Sequence, residues 1–218
     1  MFMRVNSKCA HQMRPPPRPD GEKRGRWAPS LERETQGDEA VRFGGVPLVG
    51  ALLREGIVRD MTDSDLQHLR SAIALSRRSR ERGNQPFGAL LTGPDGQVLL
   101  EAENTVVTGP DCTGHAVTNL MRLASRQFTS DFLAGCSLYA STEPCPMCGG
   151  AIFWGGVGRV VFALSERAFY QLVGPDCDGL RVGCRDVFAH GQRPIEVHGP
   201  TLEDEALAVH RGFWGQRT

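Results

Sequence analysis

Hydrophobic residues recur at helical spacing in the segment that follows Thr62. Thr62 and Asp65 have the three-residue spacing of an N-cap pair, and Gly83 interrupts the pattern. These signals predict a helix from residue 62 to about residue 81, with one face directed toward the core of the protein. The apolar positions of that face are Leu66, Leu69, Ala72 and Ile73.

Short apolar runs alternate with further helical patterns along the rest of the chain. Residues 89–92 and 98–102 flank the sequence Gly93-Pro94-Asp95-Gly96, which is typical of a hairpin turn between two antiparallel strands. This alternation of strands and helices predicts an α/β fold. The remaining predicted elements are helices at 114–127, 146–154, 165–172 and 201–211 and strands at 137–141, 159–164 and 195–198.

The chain divides into three stretches by composition. Residues 1–38 include a basic, proline-rich segment, since residues 13–26 hold four prolines and five basic side chains. We predict a disordered extension here, which is either a basic arm that contacts nucleic acid or a partner, or a solvated tail without a task. Residues 39–61 are interpreted as a connecting segment, and residues 62–218 as the folded domain.

The composition of the 218 residues argues against several functional classes. Hydrophobic residues make up 40% and charged residues 23%, and 25 basic side chains balance 25 acidic ones. This balance does not indicate a polyanionic partner, so nucleic acid is not the expected substrate. The longest apolar run, at residues 46–53, is too short to span a membrane, and no secretory signal is recognisable. We therefore expect a cytoplasmic protein that does not enter a membrane.

Three residues have the types and the spacing of a zinc site. Cys145 and Cys148 form a Cys-x-x-Cys pair at the start of a predicted helix, and His115 precedes them in the chain. Zinc binds thiolate and imidazole, and a catalytic site uses three protein ligands and leaves the fourth position to water. Two alternatives stay open: Cys112 is a fourth ligand that closes the site, or the cysteine pair is a redox dithiol.

Four motifs stand out by their residues, order and spacing. They are Pro86-Phe87-Gly88-Ala89, Asn104, His115-Ala116 and Thr142-Glu143-Pro144-Cys145-Pro146-Met147-Cys148-Gly149-Gly150-Ala151-Ile152. Together they resemble the motifs of the cytidine and guanine/nucleoside deaminase superfamily. The resemblance covers about residues 62–214 and is most specific at residues 84–164. It implies a three-layer α/β/α domain with a mixed five-stranded sheet, a Zn²⁺ cofactor held at the starts of two adjacent helices, and a homodimer.

The chain differs from the superfamily at the residue that is expected to transfer protons during the reaction. Members of the superfamily use zinc to acidify a water that attacks an amidine carbon of a ring, and a glutamate two residues after the histidine relays the protons. This chain has Val117 at that position, and valine has no titratable group. Because general acid–base catalysis contributes roughly 10²–10⁴-fold in rate, we expect impaired turnover. Asp111 and Glu143, each near a metal ligand in the sequence, are the candidate substitutes.

The resemblance also assigns substrate contacts. Asn104 and the backbone at Ala89 are expected to hold the ring or sugar, and Phe87 and Trp154 to form a stacking wall. As alternatives, Asn104 is a turn residue that bonds to its own backbone, and the two aromatic residues belong to the core. The pair Phe213-Trp214 either covers an active site, as the terminal segment does in the guanine deaminase branch, or simply docks on the sheet.

These observations predict the zinc-dependent hydrolytic deamination of a small amino-bearing nucleobase or nucleoside. Guanine-like or guanosine-like purines are favoured over cytosine-like rings, and the balanced charge disfavours a transfer RNA substrate. The alternative from a different class is a zinc-binding pseudoenzyme that binds a ligand or partner without turning it over.

Overall fold

The structure is a computed structural model that describes residues 61–175 and 177–214. Within these residues the chain forms seven α-helices and five β-strands. The predicted extension at residues 1–38 and all but the last residue of the connecting segment at 39–61 lie outside the described residues. In the described part of the chain, no helix is both long enough and apolar enough to cross a membrane.

The helices and strands follow the predicted alternation. The helices are α1 (Asp63–Glu81), α2 (Ala116–Gln127), α3 (Ser130–Leu133), α4 (Pro146–Gly155), α5 (Glu166–Val173), α6 (Cys184–Ala189) and α7 (Glu203–His210). The strands are β1 (Gly88–Thr92), β2 (Val98–Glu103), β3 (Ser137–Thr142), β4 (Arg159–Leu164) and β5 (Glu196–His198).

The five strands form one mixed sheet in the order β2-β1-β3-β4-β5. β1 lies antiparallel to both β2 and β3, whereas β3, β4 and β5 are parallel to one another. Parallel neighbours need a crossover connection, and α4 provides it between β3 and β4 while α5 and α6 lie between β4 and β5 in the chain. The predicted mixed five-stranded sheet is confirmed.

Two hydrophobic cores lie on opposite faces of this sheet. In β1, Leu91 belongs to the core that includes α2, α4 and α6, and Leu90 belongs to the core that includes α1, α5 and α7. The same alternation separates Phe162 from Val161 in β4, because successive side chains of a strand point to opposite faces. All residues of β4 are buried, as expected for a strand covered by helices on both sides. The chain therefore has the three-layer α/β/α arrangement.

Gly88 allows β1 to approach α1 very closely. A β-carbon at this position would lie 2.5 Å from the carbonyl oxygen of Ala72 and from the backbone nitrogen of Ser76. Backbone atoms inside a helix cannot move aside for a side chain, so glycine is required at the start of this strand. The contact fixes the position of Phe87, the preceding residue.

Asp65 is a buried carboxylate that joins α1 to the sheet. Its side chain accepts a hydrogen bond from the backbone N–H of Thr62 at 2.8 Å, which confirms the predicted capping pair. It also accepts hydrogen bonds from Tyr139 at 2.6 Å and from Arg159 at 2.7 Å. Burial alone would raise the pKa of Asp65, but the hydrogen bonds from Arg159, Tyr139 and Thr62 outweigh it and hold the pKa well below its usual range.

The structure adds two short helices to the predicted elements, and several element boundaries differ from the predicted ones by one or two residues. α3 has 4 residues and α6 has 6, and segments this short do not show a hydrophobic period in the sequence. α2 begins at Ala116 instead of Gly114, because His115 has extended backbone angles (φ −67°, ψ 149°) and is the N-cap. His115 is therefore the last residue before the helix.

Replacing Asp65 with alanine should destabilise the fold by about 3–5 kcal/mol, because the buried Arg159 would lose its ion pair at 2.7 Å and keep only the longer one to Glu196 at 3.5 Å. Arg70→Ala removes the exposed ion pair with Glu205 and serves as the control, with an expected cost below about 1 kcal/mol. Urea denaturation measures the free energy of unfolding of both variants. If Asp65→Ala costs no more than the control, the buried pair does not hold α1 on the sheet.

The same carboxylate should make the fold sensitive to acid. Because its pKa is lower in the folded chain, its contribution to stability is full above the unfolded-state pKa of about 3.9 and is lost as the pH falls below that value. Acidification from about pH 5 should therefore destabilise the wild type more than Asp65→Asn, which has no carboxylate at this position to protonate.

Candidate active site

Two helix N-termini bring the three predicted metal ligands together. His115 is the N-cap of α2 and Cys145 is the N-cap of α4, and both residues have extended backbone angles. Neither side chain forms a capping hydrogen bond with its own helix, so the imidazole and the thiol remain available for each other. Cys148 follows in the first turn of α4, and α2 packs against α4.

The geometry of these side chains fits a tetrahedral zinc ion. His115 Nδ1 lies 3.5 Å from Cys145 Sγ and 3.6 Å from Cys148 Sγ. Bond lengths of about 2.0–2.1 Å from zinc to nitrogen and about 2.3 Å from zinc to sulfur place two tetrahedral ligands about 3.6 Å apart. All three ligand atoms lie within 4.8 Å of one another. The donors already have the spacing that zinc requires.

Hydrogen bonds within the cysteine pair favour the thiolate form of one member. A hydrogen bond from the Cys148 thiol, assisted by His115 and by the backbone N–H of Cys148, lowers the pKa of Cys145 to about 4. The pKa of Cys148 is raised instead, because its thiol donates to Cys145 and is buried. Metal ligation requires both thiols to be deprotonated, so zinc binding at this pair releases the remaining proton.

The alternative fourth ligand, Cys112, does not join this group. His115, Cys145 and Cys148 are the only cluster of at least three potential ligand side chains among the residues that the structure describes. Cys112 is exposed and lies outside it. The donor set therefore has the composition of a site with three protein ligands, which is typical of catalytic zinc.

The three ligands line a cavity of about 370 Å³. Its other lining residues include aromatic rings and carboxylates, and within residues 61–175 and 177–214 no lysine or arginine contributes to it. A flat ring without negative charge is the type of ligand that such a surface accommodates. The aromatic lining residues are Phe87, Phe169, Tyr170 and Trp214, and the acidic ones are Glu143, Glu166 and Asp178.

Val117 lies in the wall of this cavity, beside the metal ligands. It is the second residue of α2, and it is 5% exposed and belongs to the core together with Leu120 and Ala140. The position at which the sequence analysis expects a proton carrier is thus occupied by an apolar side chain that contributes to packing. It offers neither a proton donor nor an acceptor.

The C-terminal pair contributes to the cavity through Trp214. The indole N–H of Trp214 donates a hydrogen bond at 3.1 Å to Nδ1 of the buried His210. The rings of Phe87 and Phe169 have their centroids 5.2 Å and 5.3 Å from that of His210. Burial, with a smaller contribution from Arg80, lowers the pKa of His210 to about 4, so His210 is neutral and can accept this hydrogen bond. No sequence spacing connects Phe169 or His210 with the metal ligands.

Of the predicted substrate contacts, one lines the cavity and three do not. Phe87 and the following Gly88 line the cavity, whereas Ala89 is fully buried in β1. Asn104 is also fully buried, and its Nδ2 atom has no hydrogen-bond partner among the described residues. Trp154 is 84% exposed and is not among the described residues that line the cavity.

Asn104 is bonded directly to the segment that carries Phe87. Its backbone N–H donates to the Phe87 carbonyl at 3.0 Å, and its Oδ1 accepts from the backbone N–H of Val106 at 3.0 Å. The second bond is the local turn interaction that the alternative interpretation of Asn104 predicts. The buried Nδ2 donor without a partner is the feature that a turn role does not explain.

The two candidate substitutes for the missing glutamate have other partners. Asp111 accepts hydrogen bonds from the backbone and the hydroxyl of Thr113 and does not line the cavity. Glu143 does line it, but its two carboxylate oxygens accept hydrogen bonds from the backbone N–H groups of Glu166 and Cys184, each at 3.1 Å. Glu166, which has no sequence signal, lines the cavity as well, and burial together with the charge of Glu143 raises its pKa to about 7.

Comparison with known proteins agrees with this geometry. The family profile "Cytidine and deoxycytidylate deaminase zinc-binding region" matches residues 62–164. A protein of Schizosaccharomyces pombe named probable cytosine deaminase is 41% identical over 157 residues, which cover 71% of this chain and 95% of that relative. The chain belongs to the cytidine deaminase superfamily. Its cofactor is therefore zinc, and His115, Cys145 and Cys148 form the group that fits it.

Solved structures of the superfamily share the fold. The guanine deaminase from Nitrosomonas europaea is similar with a TM-score of 0.56 and 26% identity, over 71% of this chain and 86% of that one. A tRNA:A34 deaminase is similar with a TM-score of 0.55 and 25% identity, over 66% of this chain and 99% of that one. These findings confirm the resemblance and the predicted fold. Since the relatives have names that refer to different substrates, membership leaves the substrate of this chain open.

His115→Ala and Cys148→Ser should each abolish stoichiometric zinc binding, because each variant removes one of three ligands. Atomic emission spectroscopy of the purified protein measures the zinc content. Cys177→Ser changes another cysteine of the same cavity and is the matched control, which should keep its zinc. If the control loses zinc, Cys177 completes the coordination and the site is closed.

Chelation of the zinc should also lower the Tm of the wild type, because the metal binds the folded chain preferentially.

Proposed function

We propose that this protein deaminates a small amino-bearing nucleobase or nucleoside by zinc-dependent hydrolysis, and that Val117 keeps its turnover low. The observation that carries the proposal is the His115, Cys145 and Cys148 group, set in a cavity with aromatic and acidic walls. Guanine-like purines are favoured over cytosine-like rings.

The residues around the metal group bind and orient the ring. When bound, zinc lowers the pKa of a water and so supplies a nucleophile at neutral pH. Phe87 and Trp214 offer aromatic surfaces on which a planar base stacks. Asn104 does not line this cavity, but it has a buried amide donor without a partner in the described residues, and we assign this donor to a ring nitrogen or carbonyl oxygen of the substrate.

Proton transfer is the step for which the chain lacks the usual group. Hydrolytic deamination must protonate a ring nitrogen and the departing amine, and a single glutamate normally does both. Val117 does neither, which removes roughly 10²–10⁴-fold of rate or more. Of the two predicted substitutes, only Glu143 lines the cavity, and its oxygens already accept hydrogen bonds from two backbone N–H groups.

The charge of the cavity favours a neutral substrate over one with a phosphate group. Glu143, Glu166 and Asp178 line it, and no lysine or arginine of the described residues does. Phosphate groups are usually held by arginine, lysine or the N–H groups of a helix N-terminus. Here the start of α4 carries the metal ligand Cys145, so it is not available for phosphate. A transfer RNA substrate is disfavoured on the same ground.

Size and relatives support a purine base or nucleoside. The cavity of about 370 Å³ lies near the lower end of the roughly 300–1,000 Å³ typical of ligand sites. One structural neighbour is a guanine deaminase, whereas the S. pombe relative is named as a probable cytosine deaminase. A pyrimidine base is therefore the second candidate.

A zinc-binding protein that holds a base without deaminating it is the alternative function. The burial of Val117 at 5% exposure favours it, because the side chain is part of the core that joins α2 to the sheet. In both cases the ligand, the zinc site and the cavity are the same. The presence of turnover is what separates the two functions.

We also propose that the protein is a cytoplasmic homodimer. Support for the dimer comes from the resemblance to the superfamily and from apolar side chains of α4 that remain exposed in the single chain. These are Met147 and Trp154, which are 36% and 84% exposed.

Val117→Glu should increase ammonia release from the preferred base by about 10²–10⁴-fold, because it restores a proton carrier next to the metal group. Val117→Gln is the matched control, since glutamine has nearly the same size and cannot transfer the proton. A coupled ammonia assay with a panel of purine and pyrimidine bases and nucleosides measures the change.

Zinc content and thermal unfolding of both Val117 variants must be measured as well, because either substitution places a polar group in the core. If Val117→Glu is folded, contains zinc and releases no more ammonia than Val117→Gln with any substrate, the protein is a binding protein and not an impaired deaminase.

Adding a 5′-phosphate to the preferred nucleoside should weaken its binding at least about tenfold, because acidic side chains line the cavity and no lysine or arginine of the described residues does. Isothermal titration calorimetry is suitable because low turnover allows binding to be measured at equilibrium. A monophosphate that binds as tightly as the nucleoside, or more tightly, would contradict the proposed substrate class.

A further inference from the structure

The loop between α5 and α6 forms one wall of the cavity without regular secondary structure. Residues 177–180 line the cavity, and Leu180 remains 70% exposed. Backbone hydrogen bonds inside the described part of this loop join Cys177 to Gly174 at 3.5 Å and Val182 to Leu180 at 2.9 Å. Such local bonds do not attach the loop to the rest of the protein. Side chains from other elements must set its position.

Glu143 holds both ends of the segment that contains this loop. Its Oε2 accepts a hydrogen bond from the backbone N–H of Glu166, the first residue of α5, at 3.1 Å. Its Oε1 accepts one from the backbone N–H of Cys184, the first residue of α6, also at 3.1 Å. Hydrogen bonds to an ionised carboxylate are roughly twice as strong as neutral ones. One side chain thus fixes the segment at its two ends.

Further contacts fasten the loop to α5. The guanidinium carbon of Arg181 lies 4.9 Å from the ring centroid of Tyr170, and a β-carbon on Gly179 would lie 1.8 Å from the Tyr170 hydroxyl. All of these contacts start from α5, and Glu143 holds the first N–H group of α5. The wall therefore depends on the Glu143 carboxylate directly and through α5.

The backbone of Glu143 belongs to the same edge of the sheet that carries the metal ligands. Its N–H donates to the carbonyl of Leu164, the last residue of β4, at 2.7 Å. Only Pro144 separates it from the ligand Cys145. A residue fixed by the sheet thus holds the loop with its side chain and carries a metal ligand two positions later. This arrangement sets the distance between the loop and the metal group.

We infer that Glu143 is a positioning residue, which places the cavity wall at residues 177–180 relative to the metal ligands and thereby sets the affinity for the bound ring. The inference rests on the proposed function for the identity of that ring. It assigns Glu143 a role other than proton transfer: a proton carrier must contact the reacting water and the ring, whereas both oxygens of Glu143 accept hydrogen bonds from backbone N–H groups.

Gly183 allows a test that leaves the Glu143 side chain unchanged. A β-carbon at Gly183 would lie 2.8 Å from Glu143 Oε1, so alanine must displace the carboxylate from the N–H group of Cys184. The backbone angles of Gly183, φ −64° and ψ 155°, are favourable for alanine, so the substitution adds no backbone strain. Gly150→Ala is the matched control, because a β-carbon there meets no atom within 4 Å.

The experiment compares Glu143→Gln, Gly183→Ala and Gly150→Ala with the zinc-loaded wild type. Glu143→Gln and Gly183→Ala should increase hydrogen exchange at residues 177–184 and weaken the equilibrium binding of guanine, each about tenfold, as expected for the loss of one hydrogen bond to a charged group. Zinc content and the global Tm should stay close to those of the wild type. Gly150→Ala should match the wild type in all four measurements.

In a Val117→Glu background, both loop variants should raise KM and leave kcat and its pH profile unchanged. Unchanged exchange in Glu143→Gln, or loss of its zinc, would overturn the inference. A fall in kcat for Glu143→Gln while Gly183→Ala keeps full activity would show that Glu143 carries protons. If guanine does not bind even to the wild type, the proposed substrate is wrong, and the exchange rates alone then decide whether Glu143 holds the loop.

Discussion

The helices α2 and α4 begin next to each other at one edge of the mixed sheet, and the rest of the site depends on the contact between these two N-termini. His115 precedes α2 and Cys145 precedes α4, and the packing of these helices brings an imidazole and two sulfurs to the separations of a tetrahedral ion. The loop before α2 is held by Asn119, whose side-chain amide donates to the carbonyl groups of Glu103 at 2.9 Å and Gly114 at 3.2 Å. Backbone structure, rather than the metal, therefore sets the ligand positions.

Packing and proton transfer compete for one position at this meeting point. A side chain two residues into α2 faces both the cavity and the core between α2 and the sheet, so its chemistry affects stability and reaction together. Val117 stabilises the core, because burying its apolar side chain leaves no polar group without a hydrogen-bond partner. The same side chain leaves the His/Cys/Cys group that fits zinc beside a residue that is neither an acid nor a base.

The carboxylates that line the cavity have different roles, because their neighbours differ. The oxygens of Glu143 accept hydrogen bonds from two backbone N–H groups, which makes it part of the framework. Glu166 is partly buried near that charge, and its pKa is raised to about 7, so it is the cavity carboxyl whose protonation changes near neutral pH. Among the described residues, no lysine or arginine lines the cavity to offset these acidic side chains, and the proposed preference for ligands without phosphate rests on this balance.

The sequence by itself determined the long elements, the metal ligands and the superfamily. β4 has the predicted bounds, α1 has the predicted capping pair, and the Cys-x-x-Cys spacing needs only one helical turn to bring both sulfurs together. Such features depend on residues a few positions apart, which a periodic pattern reveals. Only the tertiary structure decided that Phe169 and Trp214 line the cavity, that His210 accepts a hydrogen bond from Trp214, that Trp154 is not a lining residue, and that Glu143 holds a loop. These contacts join residues far apart in the chain, and they arise from the way helices pack on a sheet, which no local spacing records.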